Sequence, residues 1–485
     1  MALRARLTPP RTVKSDWPWH KVKSASLRAS LLFTGARRME AENFLASGYG
    51  TRVAIEAKPS GWHQLSHCAQ IWQPPRLKGT IVSNNHGQPY LSATQVFDVR
   101  PISRRYLSLE KIGDPSALQV THGQILVTRS GSVGRSTLAH AVHDGHIISD
   151  DLLRVTPKDQ SWWGWLYAYL RAPTVREMMK AAQYGHIIKH LEVHHLGALP
   201  VVDADASLRA EIDEKVTQIL RKRDRAYELT LRAEHAFEEA FGTFSATDFG
   251  ESGFSTRAHE IFSTSRRRLD AWHYNPSART ITAHLSKKSI AWSPLQELGF
   301  KVWLPTRFRR VSAIDGVPLL DSSDLFETNP DITKSIADGD FGDPFRGRVQ
   351  RGWVLLSRSG QIYGLNGSAM ITGHCHEEKV ISDHIIRIAP EKAKCRVGYL
   401  LVAITHPKLG RPRIKTLPYG SSIPEIDVAD MQQFPIPRLA TIAEDQIAGW
   451  AEEAARLRDE ADEIETSIGE QSDAIVSNFL AHKSR

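Results

Sequence analysis

The chain is written twice. Arg37-Arg38-Met39-Glu40-Ala41, ahead of Phe44, answers to Arg267-Arg268-Leu269-Asp270-Ala271, ahead of Tyr274. Trp62-His63-Gln64-Leu65 answers to Trp292-Ser293-Pro294-Leu295, and Trp72-Gln73-Pro74-Pro75-Arg76 to Trp303-Leu304-Pro305-Thr306-Arg307. Gly87 to Leu91 matches Gly316 to Leu320, and the nine residues Gly123–Gly131 match Gly352–Gly360. His146-Ile147-Ile148-Ser149-Asp150 matches Lys379-Val380-Ile381-Ser382-Asp383, and Gly185 to Pro200 matches Gly420 to Pro435. The separation stays at about 230 residues over about 170 positions, drifting only as small loop insertions would make it. Chance does not hold such a register, so the fold must be one that can be built as two like halves.

Each half reads as mixed α/β, an α+β domain. The apolar runs Ile125–Thr128, Val354–Ser357, His146–Ile148 and Ile385–Ile388 are strand-length and bounded by Gly, Ser or Asp. Trp162–Arg171 and Val397–Thr405 predict short buried helices that end near Pro173 and Pro407. A different texture follows each half. From Ser207 to Phe241 the chain has no Pro or Gly, and Thr441 to Leu480 is broken only by Gly449 and Gly469. Ile447, Trp450, Ala454, Leu457, Ala461, Ile464, Ile468, Gln471 and Ile475 alternate by three and four, the period of a coiled-coil seam. The first stretch carries Ile212, Val216, Ile219, Phe237 and Phe241, with the stripe interrupted at Arg223. Helices of about 35–40 residues would run about 50–60 Å, and two from equivalent places are expected to pair antiparallel. The expected organisation is a disordered basic arm (1–29), a first domain (30–204), a helix (205–242), a linker (243–262), a second domain (263–438) and a second helix (439–485).

Lys and Arg outnumber Asp and Glu by 62 to 54, giving an isoelectric point near 9.3, which suits a polyanionic partner. Three cysteines, Cys68, Cys375 and Cys395, cannot form a disulfide framework in a protein of 485 residues and fit a reducing cytoplasm. No apolar run is long enough to cross a bilayer, and the basic first forty residues lack the apolar core of a secretory signal.

Each half has an Arg-Ser-Gly element after a strand, a Ser-Asp element before another, and a Leu-Pro or Phe-Pro step. The second half continues Pro435-Ile436-Pro437, Glu444 and Gln446-Ile447-Ala448 into its long helix. In this order and duplication the chain resembles the specificity subunit of type I restriction–modification systems, over nearly everything after residue 30. The resemblance implies two target recognition domains that each read half of a split, asymmetric site in double-stranded DNA. It also implies that the helices pair as a spacer, that two methyltransferase subunits dock on the chain, and that in some such complexes a translocating nuclease subunit joins them. The first half departs from the pattern after Pro200, lacking the Pro-x-Pro and Glu-x-Gln signature. The arm before residue 30 is not part of the pattern.

Base reading needs donors and acceptors on a rigid frame, with cations nearby for phosphates. The candidates in the first half are Arg76, Lys78, Arg104, Arg105, Arg129, Ser130, Arg135, Lys189 and His190. Those in the second are Arg307, Arg309, Arg310, Arg358, Ser359, Arg411, Arg413, Lys415, Tyr419 and Ser421. Charge reversal at Arg411, Arg413 and Lys415 is expected to remove protection of one half-site and leave folding intact. The repeated Arg129 and Arg358 equally suit a shared structural role, as ion-pair partners of Asp150 and Asp383. Side chains that specify bases should differ between halves, whereas matched ones suit scaffold or phosphate contact.

Catalytic patterns are wanting. Asn275-Pro276-Ser277 falls short of the Pro-Pro-aromatic loop with which an adenine methyltransferase holds a flipped base. Pro330-Asp331 with Glu377-Glu378-Lys379 is too widely spaced for a paired-carboxylate nuclease, and the other half lacks it. Gly131-Ser132-Val133-Gly134-Arg135-Ser136 misplaces a glycine and lacks the lysine of a phosphate loop, and reads as a turn. His186, His190 and His194, and the run His374-Cys375-His376, read as polar surface rather than metal ligands. No cofactor or metal is expected, and the chain is expected not to be an enzyme. The competing readings are a coiled-coil scaffold of another anti-phage defence complex and a restriction or modification enzyme with an unrecognised catalytic site.

Overall fold

The computed structural model describes residues 11–13, 22–24, 41–76, 79–108, 110, 115–183, 189–242, 244, 253–263 and 267–481. It is a mixed α+β chain that ends in a long helix, Thr441–Ala481. A second long helix, Ala206–Phe241, lies midway. The chain divides into two compact units. One comprises Met1–Phe97, Pro101–Arg221 and Ile464–Arg485; the other comprises Asp98–Arg100 and Lys222–Glu463. Both long helices therefore contribute a half to each unit.

The first unit is built on an antiparallel sheet in the order Ala69–Trp72, Leu152–Pro157, Ile125–Thr128, Ser136–Leu138. The second unit has Phe300–Trp303, Ile385–Pro390, Val354–Ser357, Ala369–Ile371 in the same order. Registers correspond as well: Arg154 pairs with Trp72 and Leu126, and Arg387 with Trp303 and Leu355. Ile125–Thr128 and Val354–Ser357 are buried at every residue, which is why both read as uninterrupted apolar runs. A smaller sheet in each unit contains one parallel pair, Gln88–Leu91 with Ile147–Ile148, and Ser312–Leu320 with Val380–Ile381. The Leu-Pro and Phe-Pro steps lead into edge pairings, Pro200–Val202 with Trp62–Gln64, and Pro435–Arg438 with Ala291–Pro294. In the arm, Arg11–Val13 pairs antiparallel with Val22–Ser24.

Each sheet holds a buried arginine that periodicity does not reveal. Arg154 donates to the carbonyls of Leu152 (3.0 Å) and Ile148 (3.4 Å). Arg387 donates to Ser382 (2.9 Å), Ile385 (2.5 Å) and Ile381 (2.7 Å). A planar five-donor group can tie several carbonyls of one bend together, so both guanidiniums act as staples between the Ser-Asp element and its strand. Burial lowers both pKa values to about 10, leaving them charged at neutral pH.

Within the first unit, the helix halves meet through Lys215, which donates to Gln471 (3.0 Å). Asp473 accepts from the backbone N–H of Thr174 (2.8 Å), tying the last helix to the sheet domain. Within the second unit, Ala226, Leu229, Ala454 and Leu457 cluster with Trp450, flanked by the ion pair Lys222–Glu460 (2.6 Å). Phe237 and Phe241 are buried in the second unit's main core with Tyr399 and Ile447. Among the described residues, no helix is long and apolar enough to cross a membrane.

His406 is 1% exposed on its side chain. It is held neutral by its bonds: Nδ1 accepts from the backbone N–H groups of Lys408 and Leu409, which leaves Nε2 to donate to the carbonyl of Glu234 (3.1 Å). Burial lowers its pKa from 6.5 to about 4, against the pull of Glu238. Between those values the unfolded chain takes up a proton that the folded unit refuses. Acidification through this window should therefore destabilise the second unit, by up to about 3 kcal/mol. Urea denaturation at pH 7 and pH 4.5 is expected to show a smaller pH effect for His406→Gln than for the wild-type chain. Equal losses in both proteins would remove His406 as the cause.

Candidate nucleic-acid interface

The Arg-Ser-Gly elements follow the central strands Ile125–Thr128 and Val354–Ser357 directly. Gly131 and Gly360 have φ of 73° and 127°, in the left-handed region that only glycine occupies without strain, and they turn the chain after each serine. Gly134 is also left-handed (φ 77°), so its segment is a turn.

The backbone around each serine is the same. Arg129 N–H donates to the carbonyl of Asp151 (2.9 Å), and Arg358 N–H to that of His384 (3.1 Å). Leu191 N–H donates to Arg129 O (2.9 Å), and Ile426 N–H to Arg358 O (3.0 Å). Ser130 bridges to His190 and Ser359 to Glu425 as isolated antiparallel pairs. In repeat register, Asp151 corresponds to His384, and His190 to Glu425.

On this shared frame the side chains are exchanged. Ser130 Oγ lies 3.0 Å from Asp151 Oδ1 and 2.8 Å from His190 Nδ1. Ser359 Oγ lies 3.0 Å from Glu425 Oε1 and 3.2 Å from His384 Nδ1. Carboxylate and imidazole have traded places around the serine. Arg129 pairs with Glu192 (2.5 Å) and Asp151 (3.5 Å), and Arg358 with Glu425 (2.7 Å). Arg129 also acts electrostatically on Asp150, one of the two expected partners. Asp383 pairs with Arg310 (2.6 Å). Burial, reinforced by neighbouring Asp151, raises the pKa of Asp150 above the ordinary carboxylate range.

The remaining candidates scatter. Arg76, Arg104, Arg105, Arg307, Arg309, Arg310, Tyr419 and Ser421 are exposed, and Lys189 is half-buried. Arg135 and Arg413 are buried, with guanidiniums over the rings of Phe97 (3.8 Å) and Phe434 (4.5 Å), so their charge serves the interior. Arg411 donates to Ser368 Oγ and Gly364 O, and Lys415 to Gly364 O. The dense basic run is therefore largely internal scaffolding. Lys78 and His186 lie outside the described residues. The sequence reading missed Asp151, Glu192, His384 and Glu425; comparing matched positions beside the Arg-Ser-Gly element would have found them.

Among the described residues, one trio has donors close enough to share a metal: Cys375, His376 and Asp459, within 4.8 Å of one another. Local hydrogen bonding accounts for the arrangement. Asp459 accepts from the N–H groups of His374 (2.7 Å) and Cys375 (3.1 Å), capping the turn. His376 Nδ1 accepts from Gly373 N–H, as His143 Nδ1 accepts from His140 N–H in the first unit, where Val142 stands at the cysteine position.

No family model matches the chain, and no curated protein does. Solved structures do. The chain is similar to the S subunit of the type I restriction–modification system from M. genitalium, at 11% identity and a TM-score of 0.31, over 87% of this chain and 96% of that one. It is also similar to the HsdS subunit from Thermoanaerobacter tengcongensis, at 14% identity and a TM-score of 0.26, over 87% and 97%. A third similarity, to the type IIG restriction endonuclease BpuSI, spans 36% of this chain and 28% of that one, at 13% identity and a TM-score of 0.27.

Proposed function

We propose that the chain is a non-catalytic subunit that reads a bipartite, asymmetric DNA sequence for a type I-like restriction–modification complex. One observation carries this reading. The same strand-and-turn frame is built twice, and its polar side chains differ at matched positions. A duplicated catalytic site would keep its chemistry in both copies. A duplicated reader of two unlike half-sites keeps the frame and changes the donors and acceptors. The excess of basic residues supports a DNA partner. The long helices and the contacts between their halves support an antiparallel coiled-coil spacer between recognition domains 30–204 and 263–438. Two methyltransferase subunits, and where present a translocating nuclease, are the partners this reading requires, and the setting is cytoplasmic.

The test is methylome sequencing of a host that expresses the chain with its neighbouring methyltransferase, against a host with the methyltransferase alone. A split, asymmetric methylated motif is expected only when the chain is present. A complex that forms but marks no new motif would turn the assignment towards a scaffold. Methyl transfer by the isolated chain would overturn its non-catalytic role.

A further inference from the structure

The exchange of imidazole and carboxylate around Ser130 and Ser359 assigns a specific task to two residues that the cation-centred reading passed over. We infer that Asp151 and Glu425 each accept a hydrogen bond from the exocyclic amino group of a base, one in each half-site. The inference rests on the DNA-reading function proposed above.

The serine orients an oxygen of each carboxylate, and a guanidinium stands beside it: Arg358 is 2.7 Å from Glu425, and Arg129, which also pairs with Glu192, is 3.5 Å from Asp151. A bare carboxylate would be driven from DNA by the phosphates. One paired with a guanidinium can approach and still have lone pairs to offer. Both acids remain accessible, at 46% and 32% side-chain exposure. In the major groove only cytosine N4 and adenine N6 present an amino donor, so an ionised acid there discriminates against guanine and thymine.

The surroundings of the second frame suit base contact too. Tyr363 and Ile423 are 72% and 63% exposed. Their two segments are joined by Gly360 N–H to Pro424 O (3.2 Å) and Gln361 Nε2 to Ser422 O (3.1 Å). Apolar side chains beside an acceptor are what a thymine methyl next to an amino-bearing base would meet. A structural explanation of the acid, as a ligand of Ser and Arg alone, would not call for its transfer to a different backbone position in the other copy. Presenting the acceptor from another point on one frame changes which base it reaches, so two copies of one fold can read unlike half-sites.

The experiment uses the complete complex with its methyltransferase, and Asp151→Asn and Glu425→Gln as single variants. Each carboxamide keeps the shape but replaces an acceptor-only group by one that also donates. Each variant is expected to relax one base position, in its own half-site only, raising methylation at sites with guanine or thymine there about tenfold relative to the wild-type complex. Asp151→Ser and Glu425→Ser, shorter and uncharged, should relax the same positions if either carboxamide fails to assemble. A uniform loss of methylation with an unchanged motif would overturn the inference and leave the acids as scaffold. If the wild-type complex itself produces no bipartite motif, it is the DNA-reading assignment that falls; an unaltered motif in variants of a working complex sinks only the role of the acids.

Discussion

Arg413→Glu is expected to prevent the second unit from folding. Arg413 is 2% exposed. It lies 4.8 Å from the centre of the Trp292 ring and 4.5 Å from that of Phe434, and it donates to the carbonyl of Pro435. Burial pulls its pKa down to about 9, so at neutral pH it is a cation held between ring faces. Glutamate inverts each of these interactions. The ring faces repel it, and the Pro435 carbonyl loses its donor. An unpaired buried charge costs several kcal/mol, and each lost cation–π contact about 1–2 more. The total rivals the roughly 5–15 kcal/mol that holds a whole domain together. The expected outcome is insoluble or protease-sensitive protein, whereas Arg411→Glu, which breaks bonds to Ser368 and Gly364, should fold with a lowered melting temperature. A soluble Arg413→Glu chain with the wild-type urea midpoint would refute this account of the site.

That result would also correct the expectation that the Arg411–Lys415 run can be charge-reversed without harm to folding. Strand and helix positions were legible because apolar periodicity and repeat register agree. Ile125–Thr128, Val354–Ser357 and Val397–Thr405 fall where the sequence places them. The fate of individual arginines was not legible. A guanidinium that caps carbonyls, stacks on rings or faces solvent leaves the same letter in the sequence, and tertiary contacts alone separate Arg387 and Arg413 from Arg307 and Arg309. The serine-centred frame was half legible. Its repeated Arg-Ser-Gly was evident, but the acids that complete it come from segments 21 residues away in Asp151 and 66 in Glu425. Arg223 is a third case. It interrupts the apolar stripe of the first long helix, and the sequence has no way to say what meets the interruption.

Asp462 meets it, and Asp462→Leu is expected to be the most damaging single change in the helical part of the second unit. Asp462 Oδ1 lies 3.1 Å from Arg223 Nη2, and its other oxygen accepts from the N–H of Asn329 (3.1 Å). Arg223 is 3% exposed. Half-buried Arg458, which donates to Thr230, also feels the Asp462 charge. Burial lowers the pKa of both arginines, and Asp462 opposes the shift. Removing the carboxylate leaves buried Arg223 without its partner and half-buried Arg458 with less compensation, a loss of about 3–5 kcal/mol. Chemical denaturation of the full chain should show it as a lower midpoint with an unchanged slope. The double replacement Arg223→Met with Asp462→Leu should recover the part of the loss that belongs to Arg223, because a matched apolar pair incurs no desolvation penalty, and leave the part that belongs to Arg458 and the Asn329 N–H. Recovery of stability with altered helix register, read by cysteine cross-linking between the helix halves, would mean that the ion pair serves alignment more than stability. An Asp462→Leu chain as stable as wild type would mean that Arg223 is satisfied by other groups, and that the break in the stripe is a tolerated polar insertion.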